Sequence, residues 1–300
     1  MTTPRAFTVL VATDGSPAAR AAVAAATVVP WPDRSQGRGV VVSGTVSAAL
    51  PAAARAAIDE GVRRVAAGAR RVLARRWPDA EVAVVTGSTV QAILDEARRR
   101  RASVVVVGAQ GLGALSRLML GSVSRGVVRH AACPVLVVKR RLPRVGRLVL
   151  AVDGSPHARQ AAAFLAGLRP PAGTRVTVVR VIEPLRLPSL GLLPAAVRRV
   201  IGGQAAAEHD RQLRSARREV EAVADRLRRA GWLARAVVRR GAPLPELLDT
   251  VRSDRADLLV LGARGSGGVE RLLLGSVAEA ALSRCAGALL VVRPRASGGR

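Results

Sequence analysis

The chain predicts an α/β fold built twice over, as two domains that are each a five-stranded parallel sheet with helices on both faces. Three observations lead there. A length of 300 residues suits two domains of about 150. Short apolar runs alternate with helical stretches, the order of a parallel sheet with crossover helices. The second half also repeats the first: Asp14-Gly15-Ser16-Pro17 returns as Asp153-Gly154-Ser155-Pro156, and Gly108-Ala-Gln-Gly111, nine residues and Gly121-Ser122-Val123 return as Gly262-Ala-Arg-Gly265, nine residues and Gly275-Ser276-Val277. The first pair is displaced by 139 residues and the second by 154, so the second copy carries about 15 extra residues between its first strand and its glycine loop. The boundaries read as 1–142 and 143–300.

Phe7 to Ala12 is a strand of mostly β-branched residues. Ser16 then stands as N-cap and Pro17 at the first helical position of a helix reaching Val28. After a Pro- and Gly-bearing turn, Val40 to Val46 is the second strand and Ala52 to Arg76 a long helix. Glu81 to Thr86, a helix from Thr89 to Arg100 and the strand Val104 to Val107 lead into the glycine loop. A helix near Ser122 to His130 and the strand Pro134 to Val138 complete the first half.

Lys139 to Gly146 is a short basic linker. The second half follows with strand Leu148 to Val152, helix His157 to Leu168, strand Arg175 to Ile182, a charged helix from about Ala205 to Arg229 and strand Ala234 to Arg239. Helix Leu244 to Ser253, strand Leu258 to Leu261, loop, helix and strand Ala288 to Val292 close it. Pro184, Pro188, Pro194 and three glycines make Glu183 to Gly203 a loop with at most a short helix, and Ala296 to Arg300 a disordered tail.

The net charge of +27 invites a nucleic-acid partner. The composition argues against it. Lys139 is the only lysine, the arginines are spread over outward helix faces such as Arg63, Arg64, Arg214, Arg217 and Arg218, and the chain has no Tyr and two Phe to stack on bases. Cys133 and Cys285 occupy matching places before the last strand of each half and read as small buried residues, with no disulfide or metal spacing. Neither a signal peptide nor a membrane-length apolar run is visible, which leads to a cytoplasmic expectation.

The glycine loops carry the chemistry. Each follows a buried strand and opens a helix, where backbone N–H groups gather and negative charge is favoured. No G-x4-G-K-[S/T] pattern precedes them, so a fast ATPase is not expected. Arg117 and Arg271 stand at matching points of the two loops, within reach of a phosphate or simply exposed. His130, His157 and His209 do not recur between the halves and read as surface or packing residues.

A first strand ending in Asp, a long helical middle, G-x2-G-x9-G-[S/T]-V and a terminal apolar strand resemble the universal stress protein family, in its ATP-binding branch, over essentially the whole chain. The resemblance implies Rossmann-like domains of the adenine nucleotide alpha hydrolase type, with strand order 3-2-1-4-5. It also implies pairing of the domains through Val135 to Val138 and Leu289 to Val292. The ligand it implies is ATP or a related adenine nucleotide, with Mg2+ shared by the phosphates.

By the same resemblance, Asp14 and Asp153 lie near the adenosine, Val107, Gly108, Leu261 and Gly262 beneath the nucleotide, and Gly111 and Gly265 where the loop approaches it. Gly121, Ser122, Val123, Gly275, Ser276 and Val277 would hold the triphosphate. Val181 would touch adenine, with Thr45 or Val46 as the first-half counterpart. Gln110 and Arg264 stand where some members have His. The function implied is a nucleotide-binding regulator in stress response. Its rivals are a slow ATP hydrolase or phosphotransfer enzyme, and a nucleotide-free interaction or polyanion-binding protein. A homodimer of the tandem chain is a further expectation, and a membrane partner is not.

Overall fold

The computed structural model describes residues 6–44, 50–111, 120–184, 195–265 and 274–293. Thr45, Val46, Arg117, Arg271, the tail from Ala296 and part of the segment between Glu183 and Gly203 lie outside them. The first half comprises β1 (Phe7–Ala12), α1 (Pro17–Val28), β2 (Ser35–Ser43), α2 (Ala52–Leu73), β3 (Glu81–Thr86), α3 (Thr89–Arg99), β4 (Val104–Gly108), α4 (Ser122–His130) and β5 (Val135–Val138). The second comprises β6 (Arg147–Ala151), α5 (Pro156–Ala166), β7 (Arg175–Ile182), α6 (Ala195–Arg229), β8 (Leu233–Arg240), α7 (Pro243–Ser253), β9 (Leu258–Gly262), α8 (Ser276–Arg284) and β10 (Ala288–Val292).

The strands form one ten-stranded sheet in the order β3-β2-β1-β4-β5-β10-β9-β6-β7-β8. Within each half every pairing is parallel, as the intervening helices demand. The two halves join antiparallel, Val135 opposite Val291, Leu136 opposite Leu290 and Val137 opposite Leu289. These strands are Val- and Leu-rich without alternation because both faces are covered.

One hydrophobic cluster packs α1, α2, α5 and α6 on one face of the sheet, and a second packs α3, α4, α7 and α8 on the other. Each runs across both halves. On the first face Phe7 lies against Phe164, with ring centroids 6.0 Å apart, and the Arg169 N–H donates to the Pro30 carbonyl. Leu142 and Val145 bury the linker in the same cluster. On the second face Arg129 pairs with Glu279 at 3.1 Å. Cys133 and Cys285 are both buried.

Two elements differ from the sequence expectation. β2 begins at Ser35 rather than Val40, because Phe7 opposite Ser35 starts a ladder that Gly37 and Gly39 continue despite their low strand propensity. α6 begins at Ala195, so the stretch through Gly203 expected as loop is helical from there on. Gly202 and Gly203 weaken a helix by about 1 kcal/mol each. The helix is carried by its later turns, where Ala216, Val220, Ala224 and Leu227 are buried, and propagates outward from them.

Candidate functional site

The C-terminal ends of β1 and β4 in the first half, and of β6 and β9 in the second, hold the repeated motifs together. After β1 the Ser16 N–H donates to Asp14 Oδ1 at 2.9 Å, and the Ser16 hydroxyl accepts from the Ala19 N–H at 3.2 Å, capping α1. The same hydroxyl donates to the Gln110 carbonyl at 3.2 Å. After β6 the Ser155 N–H donates to Asp153 Oδ1 at 3.0 Å, and the hydroxyl accepts from Ala158 at 3.1 Å and donates to the Arg264 carbonyl at 3.2 Å. Ser16 and Ser155 are therefore more than helix caps. Each ties a helix start to the glycine loop, a contact across about 100 residues that local sequence cannot reveal.

The glycines are demanded by backbone packing. A Cβ on Gly108 would stand 2.6 Å from the Ala18 carbonyl carbon and the Ala19 nitrogen, and one on Gly262 would stand 2.8 Å from the His157 carbonyl carbon. The helices α1 and α5 thus rest directly on the strand ends. A Cβ on Gly111 or Gly265 would meet Oδ2 of Asp14 or Asp153 at 2.7 Å, so each carboxylate lies against its loop.

At the start of α4 and α8 the loop closes on its own backbone. The Gly121 N–H donates to the Ala109 carbonyl at 2.7 Å and the Gly275 N–H to the Ala263 carbonyl at 2.8 Å. Those two amides are engaged by carbonyls of their own loops. The next amides along, of Ser276, Val277 and Ala278 and their first-half counterparts, belong to a first helical turn, which leaves them without intrahelical acceptors. Among the described residues no side chain caps α4 or α8, whereas Ser16 and Ser155 cap α1 and α5.

In the second half these parts surround a cavity of about 740 Å3. Its wall contains every expected second-half residue: Asp153, Val181, Leu261, Gly262, Gly265, Gly275, Ser276 and Val277. Sequence reading missed Val179, Arg180, Glu183 and Leu247, which also line it. In the first half the hollow is about 80 Å3. Asp14, Val107, Gly108, Gly111 and Val123 line it, and Gly121 and Ser122 do not. Val42 lines it too. Ala12 pairs with Val40 as Ala151 pairs with Val179, so Val42 is the register counterpart of Val181, a position assigned earlier to Thr45 or Val46.

Electrostatics separate the halves further. Arg180 of β7 pairs with Glu219 of α6 beside Gly154, while Val65 of α2 covers Gly15 in the first half. His157 at the start of α5 was read as a surface or packing residue. Its Nδ1 is buried with no hydrogen-bond partner among the described residues. Burial, then the Arg264 and Arg293 guanidinium groups, hold the His157 imidazole below its usual range against the opposing pull of Asp153. Burial likewise lowers Arg293, with Arg264 adding to it. Nothing local in the sequence marks this basic cluster, which three separate segments assemble.

No helix among the described residues is long and apolar enough to cross a membrane. The universal stress protein family model matches residues 7–139 and 145–293. A universal stress protein of Mycobacterium tuberculosis is 31% identical over 207 residues, 64% of this chain and 62% of the relative, so the match spans less than two thirds of that protein's length. One from Mycolicibacterium smegmatis is 30% identical over 224 residues, 69% of this chain and 67% of the relative. In fold, the crystal structure of a universal stress protein from Archaeoglobus fulgidus is similar with a TM-score of 0.65 at 19% identity, covering 96% of this chain and 98% of that one. With two matched domains and a doubled glycine loop, the chain belongs to the universal stress protein family as a tandem-domain member.

Proposed function

We propose that this protein captures an adenine nucleotide, ATP with Mg2+, and acts through that capture as a regulator in stress response, in the cytoplasm. The observation that carries the reading is the second-half cavity. At about 740 Å3 it falls within the range of about 300–1,000 Å3 typical of small-molecule sites. Its wall supplies the three chemistries a nucleoside triphosphate requires. Val179, Val181 and Leu247 form an apolar surface for a base, and the Asp153 carboxylate can accept from ribose hydroxyls. The start of α8 offers amides and the Ser276 hydroxyl to phosphate oxygens, with the helix dipole favouring negative charge.

Among the described residues no group of three or more His, Cys, Asp or Glu is placed to hold a metal ion. In this reading Mg2+ arrives on the phosphates and neutralises part of their charge. The chain's own contribution is to bind and orient. Isothermal titration calorimetry with Mg-ATP tests the proposal, and mass spectrometry of small molecules released from gently purified protein identifies the nucleotide. Saturable heat is expected. No binding at about millimolar ATP refutes the reading, since a site weaker than about 4 kcal/mol would not fill in a cell.

A further inference from the structure

The second half differs from the first at the positions that frame the cavity. We infer that nucleotide capture is confined to the second half, and that the first half is a structural copy whose hollow is too small for it; this rests on the nucleotide reading above. A hollow of about 80 Å3 is well under the roughly 300 Å3 lower bound of small-molecule sites.

The register shows what has changed. With Val40 matched to Val179, Arg180 corresponds to Val41 and Glu183 to Gly44. Over the turn after the first strand, a Cβ on Gly15 would stand 2.7 Å from Val65 Cγ2, whereas the carboxylate oxygens of Glu219 stay 3.5 and 3.6 Å from the same point on Gly154. Val65 needs no partner and packs flush. Arg180 lines the second cavity and pairs with Glu219, both partly hydrated with side chains 27% and 22% exposed, so that part of the wall is polar.

The floors differ as well. The Ser124 hydroxyl donates to the Gly108 carbonyl at 2.6 Å and lines the first hollow, where the second cavity has Ala278. Leu120 is buried in the core below α4, while its counterpart Leu274 lines the open cavity. Retention of a first half with so small a hollow has its own reason. Its β5 pairs with β10 and covers an apolar edge that would otherwise be an open template for association.

The test is the stoichiometry of Mg-ATP binding to the full chain, with and without Ser276→Asp. Ser276 is exposed in the first turn of α8, where an acidic residue suits the helix dipole, so the variant keeps its fold, checked by circular dichroism, while setting a carboxylate against the phosphates. About one ATP per chain is expected, falling to no detectable binding in the variant. About two per chain, or one equivalent surviving Ser276→Asp, overturns the confinement and leaves the nucleotide reading standing. No binding by the native chain overturns both.

Discussion

Replacing Ser155 with Ala should destabilise the second half by about 2 kcal/mol. The side chain is 2% exposed and its hydroxyl makes two bonds, accepting from Ala158 at 3.1 Å and donating to Arg264 at 3.2 Å. Loss of a Ser cap costs about 1 kcal/mol. Loss of the tie to the Arg264 carbonyl adds about 1 kcal/mol, because a buried acceptor is left without that donor. A drop of about 2 kcal/mol lowers the midpoint of thermal unfolding by roughly 4–8 °C for a unit of this size.

Ser16→Ala supplies an internal control, since its bonds to Ala19 and Gln110, both 3.2 Å, copy the geometry and share no partner with Ser155. The two effects should be similar and add to within about 0.5 kcal/mol in the double variant. Urea unfolding followed by circular dichroism measures both. Losses under about 0.5 kcal/mol in each single variant would falsify the claim that these hydroxyls pin the glycine loops.

Three further outcomes follow from the same structure. Gly262→Ala should cost about 1–3 kcal/mol, because its Cβ meets the α5 backbone at His157 and Ala158, which cannot yield as a flexible side chain would; native-like urea unfolding would show that α5 does not rest on the strand as described. Gly202→Ala and Gly203→Ala should each stabilise α6 by up to about 1 kcal/mol, since a Cβ there meets nothing within 4 Å; increased helical signal without loss of stability is the expected readout, and destabilisation would place these residues outside a helix. His157 binds protons less readily in the folded chain than in the unfolded one, so stability should be full above the ordinary imidazole value near about 6.5 and decline as pH falls below it. Thermal unfolding midpoints of native protein and His157→Gln between about pH 8 and 5 should converge at the acid end, and parallel curves would remove His157 from the pH dependence.

Much of the architecture was written in local pattern. The Val and Leu runs at Val104–Val107 and Leu258–Leu261 specify strands buried on both faces, and Ser-Pro at residues 16–17 and 155–156 starts helices wherever it follows such a strand. Strand and helix signals of this kind act over a few residues, and their repetition needs no tertiary information. The doubled G-x2-G-x9-G-S spacing likewise marked where backbone and helix start converge.

Tertiary structure alone decided how those parts face one another. A glycine in a motif does not say where its amide points, and Gly121 and Gly275 turn theirs onto Ala109 and Ala263, at the start of their own loops. The counterpart of Val181 was legible only from strand register, which set Val42 in its place. The walls of each cavity come from several elements, β7, α7, β9 and α8 in the second half, whose lining residues Val179, Leu247, Leu261 and Val277 lie up to about 100 residues apart in the chain. Pattern reports the burial of one element, while the volume of a pocket is set by side chains that meet only after several elements have packed.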